Sequence, residues 1–117
     1  MSELLEQPTD LRVVLITAPD QQKASLIGKT LVERRLCACV NVVPTIRSIY
    51  WWNDTLQDES ESLLLVKTVS SAVPALLQTL KQIHPYELPE FVVITPEAAF
   101  EKYGEWARGV VGSGSRE

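Results

Sequence analysis

The sequence predicts one α+β domain with the element order β-α-β-β-α-β and an extra helix near its C-terminal end. Three observations carry that prediction. Short runs rich in Val and Ile, Leu11 to Thr17 and Phe91 to Thr95, read as buried strands near the two ends. Two segments between them place apolar residues at helical spacing. Between those helices, from Leu36 to Val69, the pattern changes to the period of two that a pleated strand requires. The 117 residues are 45% hydrophobic and 22% charged, which suits one globular domain. A chain of this size buries roughly two-thirds of its unfolded surface without a metal or disulfide staple.

The elements follow in order. Residues 1–10 are polar and 112–117 form a Gly/Ser tail, so both ends read as flexible and the domain as residues 11–111. Leu11 to Thr17 is the first strand, stopped by Pro19-Asp20. Asp20 caps a helix whose inner face is Ala24, Ile27, Gly28, Leu31 and Val32, with Arg34 and Arg35 at its negative end. The segment Leu36 to Trp52 is a strand, or two strands joined at Pro44, which cannot donate to a ladder and marks a bulge or an edge. Asn53-Asp54-Thr55 turns the chain, and Glu61 to Val69 returns as the other arm of a long hairpin. Ser71 caps a second helix with Pro74 in its first turn and the stripe Val73, Leu76, Leu77, Leu80, Ile83; Pro85 ends it at His84. Phe91 to Thr95, apolar on both faces, has the character of a central strand. Thr95-Pro96-Glu97 opens a third helix with the stripe Ala99, Phe100, Tyr103, Trp106, Ala107, Val110. This order is the ferredoxin-like, split βαβ arrangement.

A compact domain of this length has a radius of gyration of about 13 Å, whereas a strand of about 15 residues spans ~50 Å. The hairpin therefore overhangs its own domain, carrying Ile49, Tyr50, Trp51, Trp52 and Leu56. Such an apolar edge calls for cover by another chain.

Several function classes are excluded. Eleven Lys and Arg against fifteen Asp and Glu give a net charge of −4, with the basic residues scattered, which argues against nucleic acid and anionic membranes. No apolar run approaches the ~18 residues of a membrane span, and an acidic start without Lys or Arg is the wrong charge for a secretory leader, so a cytoplasmic location is expected. Gly28-Lys29-Thr30 resembles the end of a phosphate-binding loop, but Lys23 stands where that loop needs glycine. Leu63 to Lys67, the third strand, lacks the aromatic platform of an RNA-recognition fold. Catalysis by a histidine relay would rest on His84 alone, and no enzyme activity is expected.

Cys37 and Cys39 read as reduced, buried and structural, too few for a closed metal site. The densest chemistry is His84-Pro85-Tyr86-Glu87-Leu88-Pro89-Glu90, where two prolines stiffen a connection bearing an imidazole, a phenol and two carboxylates. It reads either as a rigid crossover satisfying its own backbone or as a ligand or divalent-metal site.

The blocks Glu33-Arg34-Arg35-Leu36-Cys37-Ala38-Cys39-Val40-Asn41, Pro44, Ser48-Ile49-Tyr50-Trp51-Trp52, Lys67-Thr68, His84-Pro85-Tyr86-Glu87 with Pro89-Glu90, and Tyr103 with Trp106 resemble the CutA family of divalent-cation tolerance proteins. The resemblance runs from about Val13 to Ala107. It implies a homotrimer of ferredoxin-like subunits joined through the long hairpins and similar to PII-type signalling proteins. It also implies a link to copper and other divalent cations, in animals a role in anchoring a membrane enzyme, and no established catalysis. Some members carry a cysteine where this chain has Ile16 and a second histidine where it has Ile83, positions linked to copper. Asp54 stands where the turn is usually glycine. The expected function is metal tolerance, with weak copper binding by His84 aided by Cys39 and Glu90, no metal being needed for folding. The rival expectations are a PII-like sensor, in which a cleft between subunits takes a small anionic or metabolite ligand near Lys67, Tyr86 and Glu87, and an adaptor trimer.

Overall fold

The computed structural model describes residues 4–112. Its elements are β1 (Leu5–Glu6), β2 (Leu11–Ala18), α1 (Gln21–Glu33), β3 (Cys39–Trp52), β4 (Thr55–Val69), α2 (Val73–Ile83), β5 (Val92–Ile94), β6 (Ala99–Phe100) and α3 (Glu101–Val110). The main sheet is antiparallel in the order β3-β4-β2-β5, the ferredoxin-like arrangement the sequence predicts.

Alternation decides which face of the sheet is covered. Val14, Ile16 and Ala18 of β2 and Leu64 and Val66 of β4 are buried beneath Ala24, Ile27 and Leu31 of α1 and Leu76 and Leu80 of α2. Asp20 caps α1 by accepting from the Lys23 amide at 2.8 Å. Gly28 lies inside that helix, not in a phosphate loop, and an added Cβ would stand 3.1 Å from Val40. The opposite face carries Val13, Leu15, Leu63, Leu65 and Lys67, which stay half-buried.

The hairpin is as long as expected. Pairing of β3 with β4 shifts between Val43 and Ile46, at Pro44, whose carbonyl accepts from the Ser62 hydroxyl at 2.6 Å. The turn residues Asn53 and Asp54 both have positive φ, 52° and 59°, the geometry a two-residue hairpin loop demands and Asn and Asp tolerate. β2 pairs with β4 only as far as Ser62, so beyond it the hairpin continues as two strands. This overhang stretches the molecule to 50 × 37 × 22 Å with a radius of gyration of 15.4 Å. Ile49, Trp51 and Leu56 are exposed on it, Trp51 at 71%.

Four expectations need correction. The stretch before residue 11 does not fray throughout: β1 pairs with β6, and Glu6 and Asp10 form ion pairs with Arg108. Residues 1–3 and 113–117 lie outside the described residues. Strand β5 is at the sheet edge rather than its centre, and its three residues are exposed; uniform apolarity comes from two faces that the single chain leaves uncovered. Helix α3 begins at Glu101, because Ala99 and Phe100 are drawn into the ladder with β1. Ser71 lies in a 3-10 turn, Ser70–Ala72, and does not cap α2.

Candidate functional site

Helix α2 ends where Pro85 dictates, with His84 in extended backbone. That turn swings the imidazole against the end of β2, where it is buried. Nε2 lies 2.7 Å from the Thr17 carbonyl, so it carries the proton and donates. Nδ1 accepts from the Tyr86 amide at 3.1 Å. Both nitrogens are thus engaged with backbone, and the ring staples the 84–90 loop.

The staple aims Tyr86 across the sheet. Its ring packs against His84 at 4.7 Å between centroids, and its hydroxyl donates to Glu61 Oε2 at 2.6 Å. Glu61 is only 7% exposed although it stands where β4 leaves β2. Glu90, exposed at the end of the loop, feels the same carboxylate: partial desolvation first and then the charge of Glu61 raise its carboxyl above the usual glutamate range. On the hairpin Tyr50 donates to Glu59 Oε1 at 2.6 Å, and that bond, with burial, pushes its phenol up to about 12. Tyr86 is pushed higher still, by burial first and then by its bond to Glu61. Among the described residues none of Glu59, Glu61 and Glu90 is ion-paired to a Lys or Arg. The arrangement is a patch of hard oxygen donors short of positive charge.

The site expected from sequence divides in two. His84 and Tyr86 come together, Glu90 is linked to them only through the charge of Glu61, and Glu87 and Glu90 are both exposed on the loop. Cys39 and Lys67 pair across the strands at the other end of the sheet, beside Val13. Four strand steps, Val13 to Thr17, separate that row from Thr17, roughly 13 Å at the rise of a strand. Within one subunit Cys39 cannot share an ion with His84, nor Lys67 a ligand with Tyr86. Asn41 accepts from both the Lys67 ammonium and the Cys39 thiol. Cys37 is buried and its thiol pushed up to about 12, chiefly by burial, whereas Cys39 is half-exposed, contrary to expectation; both are free of disulfide. No group of three or more His, Cys, Asp and Glu among the described residues converges as a metal cage. The His84-based set of metal ligands is therefore not assembled, because backbone groups take the imidazole.

Sequence reasoning missed Glu61, Glu59 and Tyr50. The available signal was Glu59 and Glu61 at i,i+2, which one strand face must share, two positions apart beside an aromatic arm.

Fold and site together define a small ferredoxin-like α+β protein with an overhanging hairpin and a carboxylate–phenol patch beside a proline-stiffened loop. The chain belongs to the CutA family: the model of that family, described as CutA1 divalent ion tolerance protein, matches residues 12–110. The divalent-cation tolerance protein CutA of Thermus thermophilus is 46% identical over 96 residues, covering 82% of this chain and 93% of that protein. The human protein CutA is 39% identical over 106 residues, 91% of this chain but 59% of the human one, so the chain spans little more than half that relative's length. Among solved structures, the Thermus thermophilus protein superposes with a TM-score of 0.84 at 44% identity, covering 87% and 99% of the two chains. CutA from Synechococcus elongatus does so at 0.89 and 34%, covering 94% and 97%.

Proposed function

We propose that this divalent-cation tolerance protein works as a cytoplasmic homotrimer that binds copper-like ions weakly at Glu61 and Glu90, beside Tyr86, and catalyses no reaction. The observation that carries the site is the buried Glu61 acting on the charge of the exposed Glu90, with no Lys or Arg ion-paired to either among the described residues. A divalent ion relieves that repulsion. Copper, near the top of the affinity order for oxygen and nitrogen donors, binds best, and an incomplete donor set keeps the affinity modest. His84 supports the loop from below.

Oligomerisation is supported by the exposed Ile49, Trp51 and Leu56 of the overhang, by the bare β5 edge and by the half-buried open sheet face. The number three rests on the family resemblance. Cytoplasmic location is supported by two free thiols, which suit a reducing compartment. No described helix is long and apolar enough to cross a membrane. Relatives are named chloroplastic in rice and periplasmic in Archaeoglobus fulgidus.

Copper titration by calorimetry on the purified oligomer tests the site. Glu61→Gln and Glu90→Gln each weaken binding about tenfold, or about 1.4 kcal/mol. Unchanged affinity in both variants, with the oligomer intact, removes the site, and a shift with a small anion abolished by Lys67→Ala favours the sensor reading.

A further inference from the structure

Helix α3 buries only small side chains. Only Gly104 and Ala107 are buried, while Tyr103 and Trp106, with ring centroids 5.5 Å apart, stand on the exposed side. Between them one hydrogen atom and one methyl group cover little of the apolar cluster Leu11, Ala38 and Val69, and only half-buried Val110 and Val111 at the far end of the helix add to that cover. Apolar packing alone is a weak anchor for such a face.

The segment before β2 supplies what packing does not. The Leu4 carbonyl accepts from the Glu101 amide at 2.7 Å, capping the start of the helix, and β1 pairs with β6 immediately ahead of it. The Glu6 carboxylate then lies on Gly104 so closely that an added Cβ there would stand 2.5 Å from Oε2 and 2.8 Å from Cδ. One helical turn on, Arg108 closes over the same carboxylate. Nη2 donates to Oε1 at 2.8 Å, and Nη1 donates to Oε2 at 3.0 Å and to Asp10 Oδ1 at 2.7 Å. The Thr9 hydroxyl donates to Oε2 as well. Spacing of four residues puts Gly104 and Arg108 on one helix face, so a single side chain from the strap meets both.

We propose that residues 4–10 are a latch for α3, with Glu6 seated on Gly104 and clamped by Arg108 as its catch. While it is closed, Tyr103 and Trp106 are presented in one fixed orientation. Once it opens, α3 leaves the sheet as a unit and the core under α1 and α2 stays folded.

Gly104→Ala distinguishes this from a merely local effect. Alanine is the better helix former, so a helix held only by its own propensity becomes more stable. Here the methyl group must push the Glu6 carboxylate away, and α3 loosens instead. Hydrogen exchange on the intact oligomer reads the difference. In Gly104→Ala and in Glu6→Gln the amides of residues 105–111 exchange about tenfold faster, while those of β2 and β4 keep their protection. The double variant is no worse than either single one, because both break one contact. Unchanged or slower exchange of α3 in Gly104→Ala overturns the latch, as does loss of protection spread evenly over β2, β4 and α3. Arg108→Lys, which keeps the charge and loses the two-pronged grip, gives the same readout should Gly104→Ala fail to fold.

Discussion

Tyr86→Phe isolates one hydroxyl. The ring contact with His84 and the Tyr86 amide's bond to Nδ1 both survive, and only the 2.6 Å bond to Glu61 is lost. Glu61 is 7% exposed, so its carboxylate has few waters with which to replace that donor. Hydrogen bonds to charged groups contribute about 1.5–3 kcal/mol, and the half-exposed phenol places this one at the lower end, near 1.5 kcal/mol. Glu61→Gln keeps an acceptor for the phenol and removes the crowding with Glu90, so alone it changes stability little. Urea unfolding at one fixed protein concentration, followed by tryptophan fluorescence, supplies the double-mutant cycle. The expected coupling between Tyr86→Phe and Glu61→Gln is about 1 kcal/mol, and additivity within about 0.3 kcal/mol refutes the account of the site as a linked unit. Copper affinity should rise in Tyr86→Phe, since the lost donor frees a Glu61 oxygen.

The pH dependence of copper binding has a definite sign: Glu90 is raised, so protons displace the ion at a pH above that of an ordinary glutamate, and Glu90→Gln abolishes this step in calorimetric titrations from pH 7 to 4.5. Asp54→Gly removes a side chain from left-handed backbone at the hairpin turn and should stabilise the protein by about 0.5 kcal/mol in urea, with Asn53→Val acting in the opposite direction. Thiol labelling under increasing urea should reach Cys39 first and Cys37 only with global unfolding, because Cys37 is fully buried and its thiol is pushed up to about 12. Light scattering at low micromolar concentration should give a mass well above the 13.1 kDa of one chain; a stable folded monomer contradicts the oligomer.

The elements legible in the sequence were those whose signals are local. Asp20 before a 3.6-residue period, Pro85 after one, Pro44 inside an alternating run and Asn53-Asp54 between two such runs each dictate backbone by their own chemistry. What local pattern could not show was pairing at a distance. Ala99 and Phe100 continue the apolar stripe of α3, and only the arrival of Leu5 and Glu6 draws them out of the helix. His84 drew attention as a lone imidazole in a stiff loop, but whether it faces an ion or a carbonyl depends on Thr17, 67 residues away in the chain. Glu61 looked like the polar start of a strand because the partner that makes it special, Tyr86, comes 25 residues later.

The two outer strands of the sheet are unlike. One is β3, long and interrupted at Pro44; the other is β5, three residues with nothing beyond them. Copies that meet through these borders join head to tail, and every junction leaves one border of each kind open at the ends of the row. Such growth halts only when the last copy returns to the first, so the angle between neighbours separates a closed ring from an endless fibre. Pro44 and the short β5 limit how many backbone bonds one junction can form, which keeps that angle in the hands of the side chains.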